Sequence, residues 1–282
     1  MLVSEMAAAR RAELRPALGD PAAIAAWGGA GPWHLSIDTG MNRAGVPWHE
    51  TAALASLLGA SPPEGVFTHL HSAQLDNGSA EQQVERFEQA LAALPARPAM
   101  VHVENSPALE RLRTRSEWTV VRPGVFLYGV SSGGALAPEP VASLWARVVE
   151  IRSIPAGESV SYDATYVASS TRRVATLAAG YADGYRRSLS NVGCVRVGGV
   201  EARVVGVVTM DMTMVDVTDV PCAVGDAVEL IGGGRLTVGA VAERAGLSPY
   251  EILVGLALRA PRLYTDGTTE GTPSGRGGTG DR

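Results

Sequence analysis

The first half of the chain alternates short β-rich runs with helical stretches, and this alternation limits the folds open to it. Residues 33–38, 65–70, 100–105 and 119–129 contain the strand candidates, and 14–18 is one more short one. Helical patterns lie between them. In the clearest, over 80–94, Val84, Phe87, Leu91 and Leu94 fall on one face at the helical period. Polar residues gather at the strand ends: Asp38-Thr39, His69, Glu104-Asn105-Ser106 and Arg122. Strand–helix alternation with chemistry at strand C-termini predicts an α/β barrel or an open doubly wound sheet. Four or five strands are too few to close an eight-stranded barrel, so a partial TIM-type barrel is expected over 1–134.

Past Gly134 the texture changes. Residues 135–140 read as a linker, after which helices nearly vanish. Val-rich runs at 141–154, 173–177, 194–197, 202–217 and 227–231 are punctuated by glycine, with Gly198-Gly199 in a hairpin turn. Only 237–245 and 250–258 look helical. The expectation is a β-rich C-terminal domain over 135–264 and a disordered Gly/Thr/Ser tail over 265–282.

Composition narrows the function classes. Apolar residues make up 46% and charged residues 19%, a globular balance with ample core material. A net charge of -5 argues against nucleic acid as a partner, since phosphate binding needs a concentrated basic surface. No apolar run is long enough for a membrane helix, and no membrane partner is expected. Cys194 and Cys222 stand far apart, without the spacing of a disulfide framework or a zinc site, so the cytosol is the expected compartment. All 24 residues counted as Lys or Arg are arginine. No side-chain amine is therefore present to form a Schiff base.

Several segments carry chemistry-bearing residues, each with a plainer reading beside it. Asp38-Thr39-Gly40-Met41-Asn42-Arg43 sets a carboxylate, a hydroxyl and an arginine just past a strand, or is simply a capped βα loop. Arg122-Pro123-Gly124-Val125 lets backbone N–H groups approach an anion, or holds a structural Arg–carboxylate pair. Asn105-Ser106 offers a hydroxyl at a helix start to a phosphate, or a plain N-cap. Tyr181, between Gly180 and Gly184, is an acid–base group or a packing residue, and Met210-Asp211-Met212 interrupts an apolar run.

Taken together, these segments resemble the alanine racemase family. IDTGMNR, the TH of FTHLHSA, HVENS, RPGVFLYG, AGYADGY, VVTMDMTMVDVT and YEIL…APR occur in order between Trp33 and Tyr264. The resemblance implies a pyridoxal 5'-phosphate enzyme of fold-type III that interconverts L- and D-alanine, supplying D-alanine for peptidoglycan. It implies a homodimer in which the partner's β domain completes each site. Carried over by residue, Ser106 and the backbone of Gly124 and Val125 hold the phosphate, and Arg122 bonds the pyridine nitrogen. Arg43 supports the cofactor's phenolic oxygen and the substrate carboxylate region, and His69 lines the site. Tyr181 is the base on the L-amino-acid face, oriented by His102. Met210, with Asp211 beside it, contacts substrate across the dimer. An arginine cannot be deprotonated readily, so it leaves the ring nitrogen unprotonated and moderates the electron sink, which favours racemisation over transamination.

The sequence also departs from the family pattern. The lysine that serves as Schiff base and second base lies on the family's first barrel strand, and this chain begins at about the fourth. A truncated chain, inactive by itself, is the expectation. Ser36 stands where many relatives carry a carbamylated lysine, and Leu258 falls near the place of a phosphate-binding tyrosine. Three other readings stay open at this point. One is a racemase of serine, since an apolar pocket discriminates weakly against one hydroxyl. Another is a non-catalytic racemase remnant. The last is a metal-dependent barrel hydrolase, prompted by His69-x-His71.

Overall fold

The computed structural model describes residues 2–111, 118–133 and 136–264. Two compact units are present, Met1–Leu127 with Ser131–Ala137 and Tyr128–Val130 with Pro138–Arg282.

In the first unit, strands β1 (Ala17–Leu18), β2 (His34–Asp38), β3 (Val46–Pro47), β4 (Gly65–Phe67) and β5 (Met100–His102) form a parallel sheet. The main path runs β1-β2-β4-β5, and β3 pairs with β2. The register aligns His34 with Gly65 and Met100, and Ser36 with Phe67 and His102. The pleat of β2 separates two environments. Leu35 and Ile37 are fully buried on one face, while His34, Ser36 and Asp38 are half-buried on the other.

Helices α1 (Met6–Arg11), α2 (Pro21–Trp27), α3 (Ala55–Ala60), α4 (Ser79–Ala92) and α5 (Ser106–Arg111) connect the strands. Helix α2 is fixed at its start by Pro21 in the first turn and by the Asp20 carboxylate accepting the Ala23 N–H at 2.9 Å. The face anticipated for α4 is the buried one. Val84, Phe87 and Leu91 enter a core that includes Ile24, Trp27, Leu35, Ile37 and Val66, and Leu94 packs at its margin. The strand anticipated within 119–129 does not form as a strand. Asn105 and Arg122 make one isolated parallel bridge, and a 3-10 turn over Val125–Tyr128 follows. Pro123 has no N–H to continue the ladder.

The second unit holds β6 (Leu144–Ile154), the pair β7 (Ser159–Val160) and β8 (Tyr166–Val167), then β9 (Arg172–Leu177), β10 (Cys194–Val197), β11 (Val200–Val204), β12 (Thr213–Asp216) and β13 (Ala227–Ile231). Six of these close into an antiparallel barrel in the order β10-β11-β12-β9-β6-β13. Closure leaves no free edge in that sheet. Val195, Val197, Val204, Val215, Val228 and Leu230 are buried, as alternation along short Val-rich strands requires. Gly198-Gly199 links β10 to β11, with Val197 paired to Val200. The single run anticipated over 202–217 divides into β11 and β12, with residues 205–212 forming the loop between them.

Helices α6 (Val238–Ala245) and α7 (Pro249–Val254) complete the unit, and the second is shorter than anticipated. Ser248 and Glu251 cap the start of α7 reciprocally. The α/β sheet followed by a β-rich barrel is the anticipated fold class. The expected disordered tail, 265–282, lies outside the described residues. Among the described residues no helix is long and apolar enough to cross a membrane. Cys194 and Cys222 are free thiols.

Candidate active site

Within the first unit, the C-terminal ends of β1, β2 and β4 open into a cavity of about 450 Å³. Ser36, Asp38, Arg43, Phe67, Thr68 and His69 are among the residues lining it. Cavities of this volume suit a small cofactor or substrate, and strand C-termini are where open α/β sheets place them. The loops around it are tied together by hydrogen bonds. Thr39 and Thr68 share one between hydroxyls at 2.7 Å, and both are buried. Gln83, buried on α4, donates to the Thr39 hydroxyl and to the His69 carbonyl at 3.2 Å each, and accepts from the His71 N–H at 3.0 Å. Arg86 donates to the Thr39 carbonyl at 3.0 Å and lies over the Trp48 ring.

His69 therefore has its backbone fixed while its ring lines the cavity. Burial, then the charges of Arg122 and Arg43, hold its pKa below the usual value, so the ring is neutral. His71, the other half of His69-x-His71, is exposed and shares a hydrogen bond with the Ser72 hydroxyl at 2.7 Å. Among the described residues no three His, Cys, Asp or Glu side chains lie close enough to hold a metal.

Arg122 is the most constrained charged side chain here. Its Nη1 lies 2.6 Å from His102 Nδ1 and donates to the His102 carbonyl at 2.9 Å, and its Nη2 donates to the carbonyls of Thr68 at 2.7 Å and Val103 at 3.3 Å. The guanidinium also lies 5.1 Å over the Phe67 ring, which stacks on His102. Burial lowers its pKa to about 10, leaving it charged at neutral pH. Beside it, the Ser106 hydroxyl at the start of α5 accepts from the N–H of Gly124 at 2.8 Å and of Phe126 at 3.3 Å. Ser106, Gly124 and Arg122 are thus brought together, with Val125 next in the chain and buried.

His102 is only 6% exposed, and its role needs correction. Its Nδ1 faces Arg122 and its Nε2 lies 2.7 Å from His34 Nδ1. No ring nitrogen is left to hold the phenol of Tyr181. Burial, then Arg122 and His34, push its pKa down to about 3.

In the second unit, Tyr181 opens a short 3-10 turn, Tyr181–Asp183, right after β9. Its N–H donates to the Thr209 carbonyl at 3.0 Å, and that of Ala182 to the Met210 carbonyl at 3.0 Å. Gly180 makes this contact possible, because a Cβ there would fall 2.2 Å from the Thr209 oxygen. Tyr181, Met210 and Met212 are exposed at 39%, 53% and 48%. Asp211 stands beside Met210, its carboxylate bound to Arg259 Nη2 at 2.7 Å. That same guanidinium also holds Asp183. Tyr181, Met210 and Asp211 are therefore one assembly.

Residues 1–132 match the family model described as the alanine racemase N-terminal domain, and 141–264 match the C-terminal domain. An alanine racemase of Methylobacterium nodulans is 38% identical over 274 residues, covering 90% of this chain and 72% of the relative. The chain belongs to the alanine racemase family. An alanine racemase of Sorangium cellulosum is 38% identical over 250 residues, 83% of this chain but 66% of the relative's own length. The chain thus spans about two thirds of that relative. The crystal structure of the alanine racemase from Bartonella henselae, with covalently bound pyridoxal phosphate, superposes with a TM-score of 0.85 at 29% identity, covering 94% of this chain and 77% of that one.

Four residues that organise this region were not singled out by sequence reasoning. Gln83 read as one polar position on an amphipathic helix, and His34 and Glu64 carried no motif. Arg259 stands immediately before the APR segment at 260–262, which was recognised as family-like without a role. A glutamine one turn from the helix start and next to Val84 was the sequence signal available for Gln83.

Proposed function

We propose that the residues of this chain serve alanine racemisation with pyridoxal 5'-phosphate. The observation that carries this reading is a fixed arginine beside an anion cradle, where the loop holding Arg122 and Gly124 meets the start of α5. Arg122 is held by four acceptors, and Ser106 with Gly124 gathers backbone N–H groups two residues later. This donor set fits a phosphate and a ring nitrogen. A covalent link to the cofactor falls outside it, because all 24 basic residues of the chain are arginine. Ser106 and the backbone of Gly124 and Val125 would hold the phosphate, and Arg122 would face the ring nitrogen.

When bound, the cofactor supplies an electron sink for the α-carbon. The rest is the work of this chain's side chains. Arg122 keeps its own protons and donates weakly to the ring nitrogen, which limits the sink and favours return of a proton to the α-carbon. Arg43, exposed at the cavity rim, meets the substrate carboxylate, and neutral His69 lines the wall without adding charge. Tyr181 takes and returns the proton on the L face. Met210 and Asp211 border the substrate and keep the pocket small, which suits alanine.

Racemisation needs a base on each face, and a homodimer with shared sites is part of the proposal. The exposure of Tyr181 and Met210 in the single chain supports a partner covering that end of the barrel. The cytosol is the proposed compartment and D-alanine for peptidoglycan the proposed product.

The test follows the α-hydrogen of each enantiomer into deuterated solvent, using a fusion of this chain to the lysine-bearing N-terminal segment of a relative. Tyr181→Phe should slow exchange from L-alanine by about 10²–10⁴-fold and spare exchange from D-alanine. Exchange from L-alanine at the wild-type rate would remove Tyr181 from the mechanism. Mixing Tyr181→Phe protomers with protomers lacking the lysine should restore activity if sites are shared.

A further inference from the structure

Behind Arg122 runs a line of polar side chains that the proposed mechanism does not use. His102 Nε2 lies 2.7 Å from His34 Nδ1, and His34 Nε2 lies 3.7 Å from the Glu64 carboxylate. Arg15 Nε donates to the same Glu64 oxygen at 2.8 Å. His34 is on β2 and His102 on β5, with β4 between them. They meet because β4 carries a glycine at the crossing. A Cβ on Gly65 would lie 2.6 Å from the His34 ring.

The direction of both imidazole hydrogen bonds in this line is fixed by its first member. A guanidinium has only N–H groups to offer, so the His102 Nδ1 facing it must present a lone pair. The proton of neutral His102 then sits on Nε2 and points at His34 Nδ1. His34 must accept there, which puts its own proton on Nε2, facing the Glu64 carboxylate. The hydrogen bonds therefore run donor to acceptor from Arg122 through His102 to His34, whose Nε2 faces the Glu64 carboxylate 3.7 Å away as a charge contact, and Arg15 braces that carboxylate. A carboxylate behind a histidine fixes its tautomer and strengthens its other nitrogen as an acceptor, and successive hydrogen bonds polarise one another.

We propose that His34 and Glu64 are positioning residues that lock His102 as a pure acceptor for Arg122, and so aim the guanidinium. Resting on the functional reading above, this makes Glu64 a remote control on the group that faces the cofactor's ring nitrogen. The alternative tautomer would set an N–H of His102 against an N–H of Arg122 and turn the guanidinium aside.

Long-range ¹H–¹⁵N spectra of the imidazoles in the full chain at pH 8, without cofactor, test this directly. His34 and His102, assigned with His34→Gln and His102→Gln, should both show the proton on Nε2. Glu64→Gln should shift the His102 Nδ1 resonance although Glu64 does not touch His102, and Glu64→Asp should restore it in part. His49 and His71 should not move. A proton on Nδ1 of either histidine, or a His102 resonance indifferent to Glu64→Gln, would overturn the proposal. A residue that only supported the fold would change the melting temperature and leave the tautomers alone. The measurement uses no cofactor, so its failure is separate from failure of the functional reading.

Discussion

Arg259 grips Asp183 with two nitrogens, Nε at 2.7 Å and Nη2 at 2.8 Å. The second also reaches Asp211 at 2.7 Å, so one side chain ties the turn that presents Tyr181 to the segment that presents Met210. Arg259→Met should free both carboxylates. In the fusion bearing a relative's lysine segment, the proposed racemisation should show a kcat lower by about tenfold or more, since small displacements of catalytic groups cost that much. Arg259→Lys should recover little, because an ammonium cannot make the paired contact. Equal turnover in the wild type and Arg259→Met would show that the turn holds its place without the arginine.

Asp183 gives the same clamp a pH signature. Burial pushes its carboxyl up, but the Arg259 hydrogen bond, the Gly180 N–H and the Arg259 charge outweigh it and hold the pKa below the ordinary 3.8. A group depressed on folding contributes stability above its unfolded pKa, and loses it as pH falls through the folded one. The clamp should hold at pH 5 and weaken below about pH 4. Amide exchange at Gly180–Ala182 against pH would register this, and a profile flat from pH 5 to 2 would contradict it.

His102 should make stability fall over a different window. Its folded pKa of about 3 lies below the ordinary 6.5, so the unfolded chain binds a proton between those values that the folded chain does not. Stability is full above pH 6.5 and declines as pH drops toward 3. His69, also depressed, adds in the same direction. The melting temperature should drop by roughly 5–10 °C between pH 7 and pH 4. The decline should be shallower in His102→Gln, and parallel curves for the two proteins would refute the assignment.

Gly180→Ala tests the close contact that the Tyr181 turn depends on. The added methyl meets the Thr209 oxygen at 2.2 Å, so the turn and the Met210 segment must separate. Overpacking of this kind costs about 1–3 kcal/mol. Chemical denaturation should show it as a lower midpoint, and an unchanged midpoint would mean the loop yields freely.

The chain should acquire no reduced pyridoxyl group at any internal position. Pyridoxal phosphate followed by borohydride labels side-chain amines, and all 24 basic residues are arginine. Peptide mapping that located the label on an interior peptide would contradict this.

The amino-acid order alone determined the fold class. Period-2 and period-3.6 patterns mark which face of a segment must leave water, and 84, 87 and 91 on α4 obeyed them. Motifs such as HVENS, RPGV and AGYADGY are local, so the roles proposed for Ser106, Arg122, Gly124 and Tyr181 rest on residue types in a row. What the sequence did not contain was which distant side chain backs which. Pro123 stopped a strand that propensity favoured. His102 was read as the partner of a tyrosine, and tertiary structure gave its nitrogens to Arg122 and His34 instead. That pairing depends on strand register and on the missing Cβ at Gly65, which let histidines 68 positions apart touch across an intervening strand. Arg259 likewise acquires its role only when folding sets it against Asp183, 76 positions away. Such contacts are set by how the strands register and the loops pack, which no local pattern encodes.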